Sequence, residues 1–99
     1  MEINNIPDVF GNKLRVAILA ALVTDTKTFR ELKEITGATD GNLGAQLIKL
    51  EECKAVASDK KFVNRKPQTT YQLTDLGRKM FREYVELLEK IIGGAGVDW

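Results

Sequence analysis

The chain has 99 residues, a length that suits one domain built around a single modest hydrophobic core. Its formal net charge of +1 does not by itself indicate a nucleic-acid partner, and its 29% of charged residues is ordinary for a globular protein. No apolar run approaches the ~20 residues that span a bilayer, no signal peptide is recognisable, and one cysteine cannot form an internal disulfide, so we expect a cytoplasmic protein without a membrane segment.

Residues 1–11 are predicted to form an apolar N-terminal arm ahead of the first long helix. Pro7 and Gly11 interrupt this arm, and Asn12 is a good N-cap for the helix that follows. Apolar residues then recur at the spacing of one helix face, which predicts a stripe that faces the core. The residues of this stripe are Leu14, Ala17, Ile18, Ala21 and Leu22.

A second, short helix is predicted over residues 29–35. Thr28 and Glu31 have the spacing of a capping box at its start, and Gly37 is a natural left-handed C-cap at its end. A tight turn then leads to a third helix, which is the arrangement of a helix-turn-helix. The residues of the second helix that are expected to face the core are Phe29, Leu32 and Ile35.

The third helix, predicted over residues 40–52 with Thr39 as its N-cap, has one apolar and one polar side. The spacing of Leu43, Leu47 and Leu50 buries the apolar side. The polar side suits a DNA major groove, because amide side chains pair with adenine edges and lysine suits guanine or phosphate. The alternative is an ordinary solvated helix face. The candidate groove-contacting residues are Thr39, Asp40, Gly41, Asn42, Ala45, Gln46 and Lys49.

A two-stranded ribbon is predicted from about residue 56 to residue 73, because the run 69–73 is rich in β-branched and aromatic residues. Residues 64–68 are expected to form its turn. Between residues 60 and 82 the chain carries seven basic side chains and one acidic side chain, the asymmetry that a phosphate-binding face requires. The alternative is a solvated basic surface. The candidate DNA-contacting residues of this wing are Lys60, Lys61, Arg65 and Lys66.

The last helix is predicted to begin at Asp75, after the N-cap Thr74, and to end at Gly93. Its apolar stripe is wider than one small core requires, so part of the stripe is expected to contact a second subunit. The alternative is that the stripe only covers the chain's own core. Residues 93–99 are predicted to be a flexible tail. The candidate dimer interface consists of Val9, Phe10, Tyr84, Leu87, Leu88 and Ile91.

The residue types that most catalytic and metal sites require are absent or isolated. The chain has no histidine, which excludes histidine-based general bases, catalytic triads and histidine-containing zinc sites. Glu51 and Glu52 are adjacent on a predicted helix, so their carboxylates diverge. Cys53 is interpreted as a small buried residue at the end of that helix, with a redox switch as the alternative. The sequence therefore predicts no enzyme activity, no cofactor and no metal site.

Two runs of the sequence resemble known proteins, in matching order and spacing. Residues 29–52 are similar to the helix-turn-helix of small bacterial and archaeal winged-helix transcriptional regulators related to the MarR and ArsR groups. Residues 61–78 are similar to the wing and the start of the last helix in the same group, and the likeness extends over residues 12–92. The resemblance implies a mainly α winged helix-turn-helix domain with a small β-hairpin wing, which dimerises through its terminal helices and binds duplex DNA.

The sequence departs from that group in two places. Relatives usually carry glycine after the recognition helix. In this chain Lys54 stands near the corresponding position, after the third helix. A lysine in a left-handed cap would be strained by roughly 1 kcal/mol. Relatives commonly have serine and arginine or histidine on the recognition helix. This chain has Gly44, Ala45 and Gln46 in that place. Gly44 costs about 1 kcal/mol of helix propensity. Two alternatives follow: it allows the backbone to approach DNA closely, or it weakens binding.

These observations favour a sequence-specific transcriptional regulator that binds duplex DNA as a homodimer, with Thr28 and Arg30 adding DNA backbone contacts near a helix N-terminus. The alternative is a winged-helix module that binds protein, because fold alone does not decide function. No pattern in the sequence identifies an operator or a small-molecule effector.

Overall fold

The elements of the protein, seen in a computed structural model that describes residues 8–93, follow the predicted order with one strand added. Residues 1–7 and 94–99, which include most of the predicted arm and tail, lie outside the described residues. A 3₁₀ helix spans Asp8–Gly11. The α-helices are α1 (Lys13–Ala21), α2 (Phe29–Thr36), α3 (Asp40–Glu52) and α4 (Asp75–Ile92). The strands are β1 (Lys27–Thr28), β2 (Val56–Val63) and β3 (Lys66–Leu73).

Short polar side chains fix where the helices begin. At α1, the Asn12 Oδ1 atom accepts hydrogen bonds from two backbone N–H groups of the first turn, at 2.9 and 3.1 Å. At α3 and α4, the hydroxyl oxygens of Thr39 and Thr74 each accept the backbone N–H three residues further on. Thr28 and Glu31 form the capping box of α2 in both directions. These bonds satisfy N–H groups that a helix leaves free at its start, and they confirm the predicted N-caps.

The hydrophobic core lies between the helices and the base of the β2–β3 ribbon. Leu32 and the three leucines of α3 are buried in it, as predicted. The prediction for Ile35 is wrong, because its side chain is 56% exposed. Leu32 points into the core, whereas the last turn of α2 leaves Ile35 on the outside. The core residues are Phe10, Ile18, Leu19, Leu22, Leu32, Leu43, Leu47, Leu50, Ala55 and Val56.

Phe10 belongs to this core and not to an exposed arm. Its side chain is only 7% exposed, and its ring stacks on that of Tyr84, with centroids 4.3 Å apart and an interplanar angle of 4°. The Phe81 ring lies tilted against both of them. Because the three rings remove one another's apolar surface from water, Phe10 has little exposed surface left for the predicted dimer interface.

The three strands form an antiparallel sheet in the order β1-β3-β2. Strands β2 and β3 pair from Val56 and Leu73 at the base to Val63 and Lys66 at the tip. The turn between them has two residues and not the five that were predicted, because residues 66–68 belong to β3. Asn64 and Arg65 both have positive φ, 53° and 66°, as type I′ turns require, and such turns match the twist of the flanking strands. The short strand β1, which the sequence did not reveal, pairs with β3 at residues 70 and 71.

The segment between α3 and β2 brings the wing and α4 together. The Ala55 carbonyl oxygen accepts the Thr74 backbone N–H at 3.1 Å, and the Thr74 hydroxyl donates to the Lys54 carbonyl oxygen. Gly77, in the first turn of α4, is buried against Ala55, and a Cβ atom at this position would overlap the Ala55 carbonyl oxygen. The base of the wing is therefore held by α4 through backbone contacts that only glycine permits.

Cys53 is exposed, so the prediction of a buried cysteine is wrong. Its Sγ atom donates a weak hydrogen bond to the Leu50 carbonyl oxygen at 3.4 Å. The chain turns at Lys54, which takes the left-handed conformation, with a φ of 63°, although it is not glycine. This turn directs Ala55 and Val56 into the core and leaves Cys53 outside.

Candidate nucleic-acid interface

The side of α3 that faces solvent is the first part of the candidate interface. Leu43, Leu47 and Leu50 are at most 1% exposed and define the buried side of the helix. With about 100° of rotation per residue, the opposite side is the one on which a major groove would meet the helix. The residues centred on that side, all exposed, are Gly41, Ala45, Ile48 and Glu52, with Asn42 and Lys49 beside them.

Ile48 is a residue of this face that the sequence analysis missed. Its side chain is 56% exposed, while the adjacent Leu47 is 1% exposed. The helical phase of the three leucines already placed Ile48 on the outer side, so the signal was present in the sequence. It was overlooked because the search for groove contacts considered polar and small residues.

Gln46, one of the predicted groove contacts, also forms a hydrogen bond within the protein. It is half-buried at the edge of the outer face, and its Oε1 atom accepts a hydrogen bond of 2.7 Å from Nη1 of Arg15 on α1. The Arg15 Nε atom also donates to the Val9 carbonyl oxygen at 2.9 Å. Gln46 therefore helps to hold α3 against α1 through one of the two hydrogen bonds that its amide oxygen can accept.

The start of α3 presents exposed polar groups around the helix N-terminus. Thr39 and Asp40 are both exposed, and the Asp40 carboxylate lies 2.8 Å from Nζ of Lys33 on α2. This ion pair offsets a negative charge that would otherwise repel a phosphate. Arg30 pairs with Glu34 at 3.4 Å, but both side chains are strongly exposed, so the pair is weak and Arg30 can exchange partners at little cost. Thr28 is half-buried and its hydroxyl caps α2.

The wing is the second part of the candidate interface. Residues 58–68 are all exposed, so the distal ribbon stands clear of the core. Within residues 8–93, Lys60, Arg65 and Lys66 form no ion pair, whereas Lys61 lies 3.5 Å from an Asp59 carboxylate oxygen. Solvated lysine and arginine side chains without acidic partners attract phosphate. The wing also carries Phe62, 77% exposed, which the sequence analysis did not single out.

The residues of the candidate dimer surface differ in their exposure within one chain. Tyr84 is half-buried because it stacks on Phe10, and both Leu87 and Val9 are also half-buried. Leu88 and Ile91 are exposed on the distal half of α4. Two further exposed residues that were not predicted, Val85 and Ile92, extend the apolar surface there.

At the base of the ribbon, the surroundings of Tyr71 change the acidity of its phenol. Burial, and secondarily the negative charge of Glu51, raises the pKa of the Tyr71 phenol above its ordinary value of 10. The Tyr71 hydroxyl therefore stays neutral at physiological pH.

Within residues 8–93, no group of three or more side chains that could bind a metal lies together. No helix in the same range is both long enough and apolar enough to cross a membrane.

A comparison with families of known proteins identifies this arrangement of recognition helix and wing. The family described as a winged helix DNA-binding domain matches residues 14–92 of the chain. The chain belongs to this family. The winged-helix fold that the sequence predicted is thereby confirmed, and the match covers both parts of the candidate interface.

Individual relatives of this winged-helix domain agree with the assignment. An uncharacterized protein of Methanocaldococcus jannaschii is 39% identical over 83 residues, which cover 82% of this chain and 90% of that protein. A transcriptional regulator homologue from Pyrococcus horikoshii OT3 has a similar structure, with a TM-score of 0.81, 26% identity, and coverage of 90% of this chain and 89% of the other. A protein of Enterococcus faecalis V583 assigned to the MarR family of transcriptional regulators has the same fold, with a TM-score of 0.82, 22% identity, and coverage of 92% and 83%. The resemblance to small winged-helix regulators is confirmed.

Proposed function

We propose that this winged-helix protein is a cytoplasmic transcriptional regulator that binds specific duplex DNA sequences as a homodimer and has no enzymatic activity. The observation that carries the proposal is the combination of an open face on α3 with a basic wing in a domain of a DNA-binding family. An α-helix fits the major groove, while a projecting ribbon can reach the neighbouring backbone or minor groove.

In this proposal α3 contacts base edges. Gly41 and Ala45 carry no side chain beyond a methyl group, so the helix backbone can approach the groove closely. Asn42 has an amide that suits adenine, and Lys49 has an ammonium group that suits guanine or phosphate. Thr39 and Asp40 lie at the start of the helix, where backbone N–H groups favour phosphate. Gln46 supports this face through its bond to Arg15.

The wing supplies the attraction to phosphate. Arg65 occupies the turn, Lys66 begins β3, and Lys60 and Lys61 lie further back on β2. Contacts to phosphate fix the position of a protein on DNA without reading its sequence. Arg30 and Thr28 lie near the N-terminus of α2 and would add contacts to the backbone after Arg30 leaves Glu34.

Dimer formation would use the distal half of α4. Leu88 and Ile91 are exposed there together with Val85 and Ile92, and a two-fold axis would bury this set on both subunits. A dimer gains specificity because it spans two half-sites about 34 Å, one helical turn, apart.

The experiment that tests DNA binding is a titration with random-sequence duplex DNA at several salt concentrations. We expect affinity to fall steeply with salt, by a factor that reflects the number of neutralised phosphates. Arg65→Ala combined with Lys66→Ala should weaken binding to all duplexes similarly and lower the slope of log K against log salt by roughly one to two units. A control removes a positive charge outside the basic segment 60–82 with Lys90→Ala, and its slope should stay close to that of the unmodified protein.

The alternative function is a winged-helix module that binds protein, and the exposure of Phe62 in the wing favours it. The same titration separates the two functions. Absence of measurable binding to duplex DNA at low salt would refute the proposed regulator, and an unchanged slope in the double variant of Arg65 and Lys66 would refute the role of the wing.

A further inference from the structure

The outer face of α3 has one large apolar side chain at its centre, that of Ile48. Gly41 and Ala45 precede it on the same face and offer at most a methyl group. The exposed side chains beside it, Lys49 and Glu52, are charged. Ile48 is 56% exposed, whereas its neighbour Leu47 is 1% exposed and fills the core. Ile48 is thus the large apolar side chain that a groove closely approached by Gly41 and Ala45 would meet.

We propose that Ile48 is a specificity-determining residue that contacts the 5-methyl group of thymine in the major groove. The inference rests on the proposed function, in which α3 occupies that groove. An isoleucine side chain has no hydrogen-bonding atom, and thymine is the only base that presents a methyl group in the major groove. The other bases present donors and acceptors there, which Ile48 would shield from water without replacing their hydrogen bonds.

The chemistry predicts a preference for thymine at one position of each half-site. Contact between Ile48 and the methyl group gains the free energy of apolar burial. The same contact against cytosine would desolvate its exocyclic amino group, because Ile48 cannot accept a hydrogen bond. The preference therefore has an attractive part, which depends on the methyl group, and a repulsive part, which depends on the polar group that replaces it.

The experiment first selects preferred duplexes from a random pool with the unmodified protein. Each thymine of a selected site is then replaced, one at a time, by deoxyuracil, which removes the methyl group and keeps every hydrogen-bonding atom. We expect one replacement per half-site to weaken binding about threefold to tenfold, the range expected for one buried methyl group. The Ile48→Ala protein should bind the thymine duplex more weakly by a similar factor and should not distinguish it from the deoxyuracil duplex at that position.

Ile35→Ala is the matched control, because Ile35 is the same residue with the same 56% exposure on a different helix. The Ile35→Ala protein should retain the penalty for deoxyuracil. Ile48→Ala should also melt close to the unmodified protein, so that lost discrimination is not a folding defect.

Three results would overturn the role of Ile48 while leaving DNA binding intact. They are a selected site without a fixed thymine, a deoxyuracil penalty absent from the unmodified protein, and a penalty of equal size in Ile48→Ala. Failure of the unmodified protein to bind any duplex at low salt would instead refute the proposed function and this inference together.

Discussion

Replacement of Gly77 by alanine tests the contact that holds the wing base to α4. A Cβ atom at residue 77 would overlap the Ala55 carbonyl oxygen and lie 2.8 Å from the Ala55 carbonyl carbon. These are backbone atoms, so no side chain can rotate away to make room. The Ala55 oxygen is also held by the Thr74 N–H at 3.1 Å. Gly77→Ala therefore forces α4 away from the segment between α3 and β2.

The magnitude follows from three contributions. Overpacking a filled site costs about 1–3 kcal/mol. Weakening the hydrogen bond between Thr74 and Ala55 costs about 1 kcal/mol. Alanine gains about 1 kcal/mol over glycine in helix propensity, which offsets part of the loss. The net destabilisation is about 1–3 kcal/mol, and since 1 kcal/mol shifts the Tm of a domain of this size by about 4–8 °C, we expect a decrease of roughly 5–20 °C.

Thermal melting followed by circular dichroism measures this effect, and Gly44→Ala is the matched control. Gly44 is also a helical glycine, but no atom lies within 4 Å of its Cβ position, so it receives the propensity gain without the clash. Its Tm should stay the same or rise by a few degrees. A Gly77→Ala protein that melts at or above the unmodified protein would refute the close approach of α4 to Ala55.

Two further predictions concern the phase of α3 and the assembly. Leu47→Ala should lower the free energy of unfolding by roughly 2–5 kcal/mol, because it removes buried methyl groups and leaves a cavity. Denaturant unfolding measures this free energy, and an unchanged value would show that the assigned phase of α3 is wrong. Leu88→Glu combined with Ile91→Glu should convert a homodimer to monomers with weakened DNA binding, because both side chains are exposed in one chain and would be buried between two. Sedimentation of the unmodified protein as a monomer at tens of micromolar would refute the dimer.

Helix starts were readable from the sequence because the interactions that set them are local. The cap at Thr39 joins atoms three residues apart, as does the cap at Thr74, so the order of residues alone specifies both. The spacing of Leu43, Leu47 and Leu50 likewise fixed which side of α3 is buried. The location of α3 followed from these local signals, and the location of the basic wing followed from the β-branched run 69–73 and the charge of residues 60–82.

Tertiary contacts decided what each side chain of the candidate interface can do. The polar spacing of α3 does not show that Gln46 meets Arg15, which is 31 residues earlier in the chain. The apolar character of Phe10 does not show that its ring stacks on Tyr84 near the other end of the chain. Periodicity specifies a direction around one helix, whereas burial depends on which other element occupies that direction. The sequence by itself therefore determined the four helices, their N-caps, the β-ribbon and the outward phase of Ile48 on α3. Only the packing of α1 and α4 decided that Gln46 bonds to Arg15 and that Phe10 is buried against Tyr84.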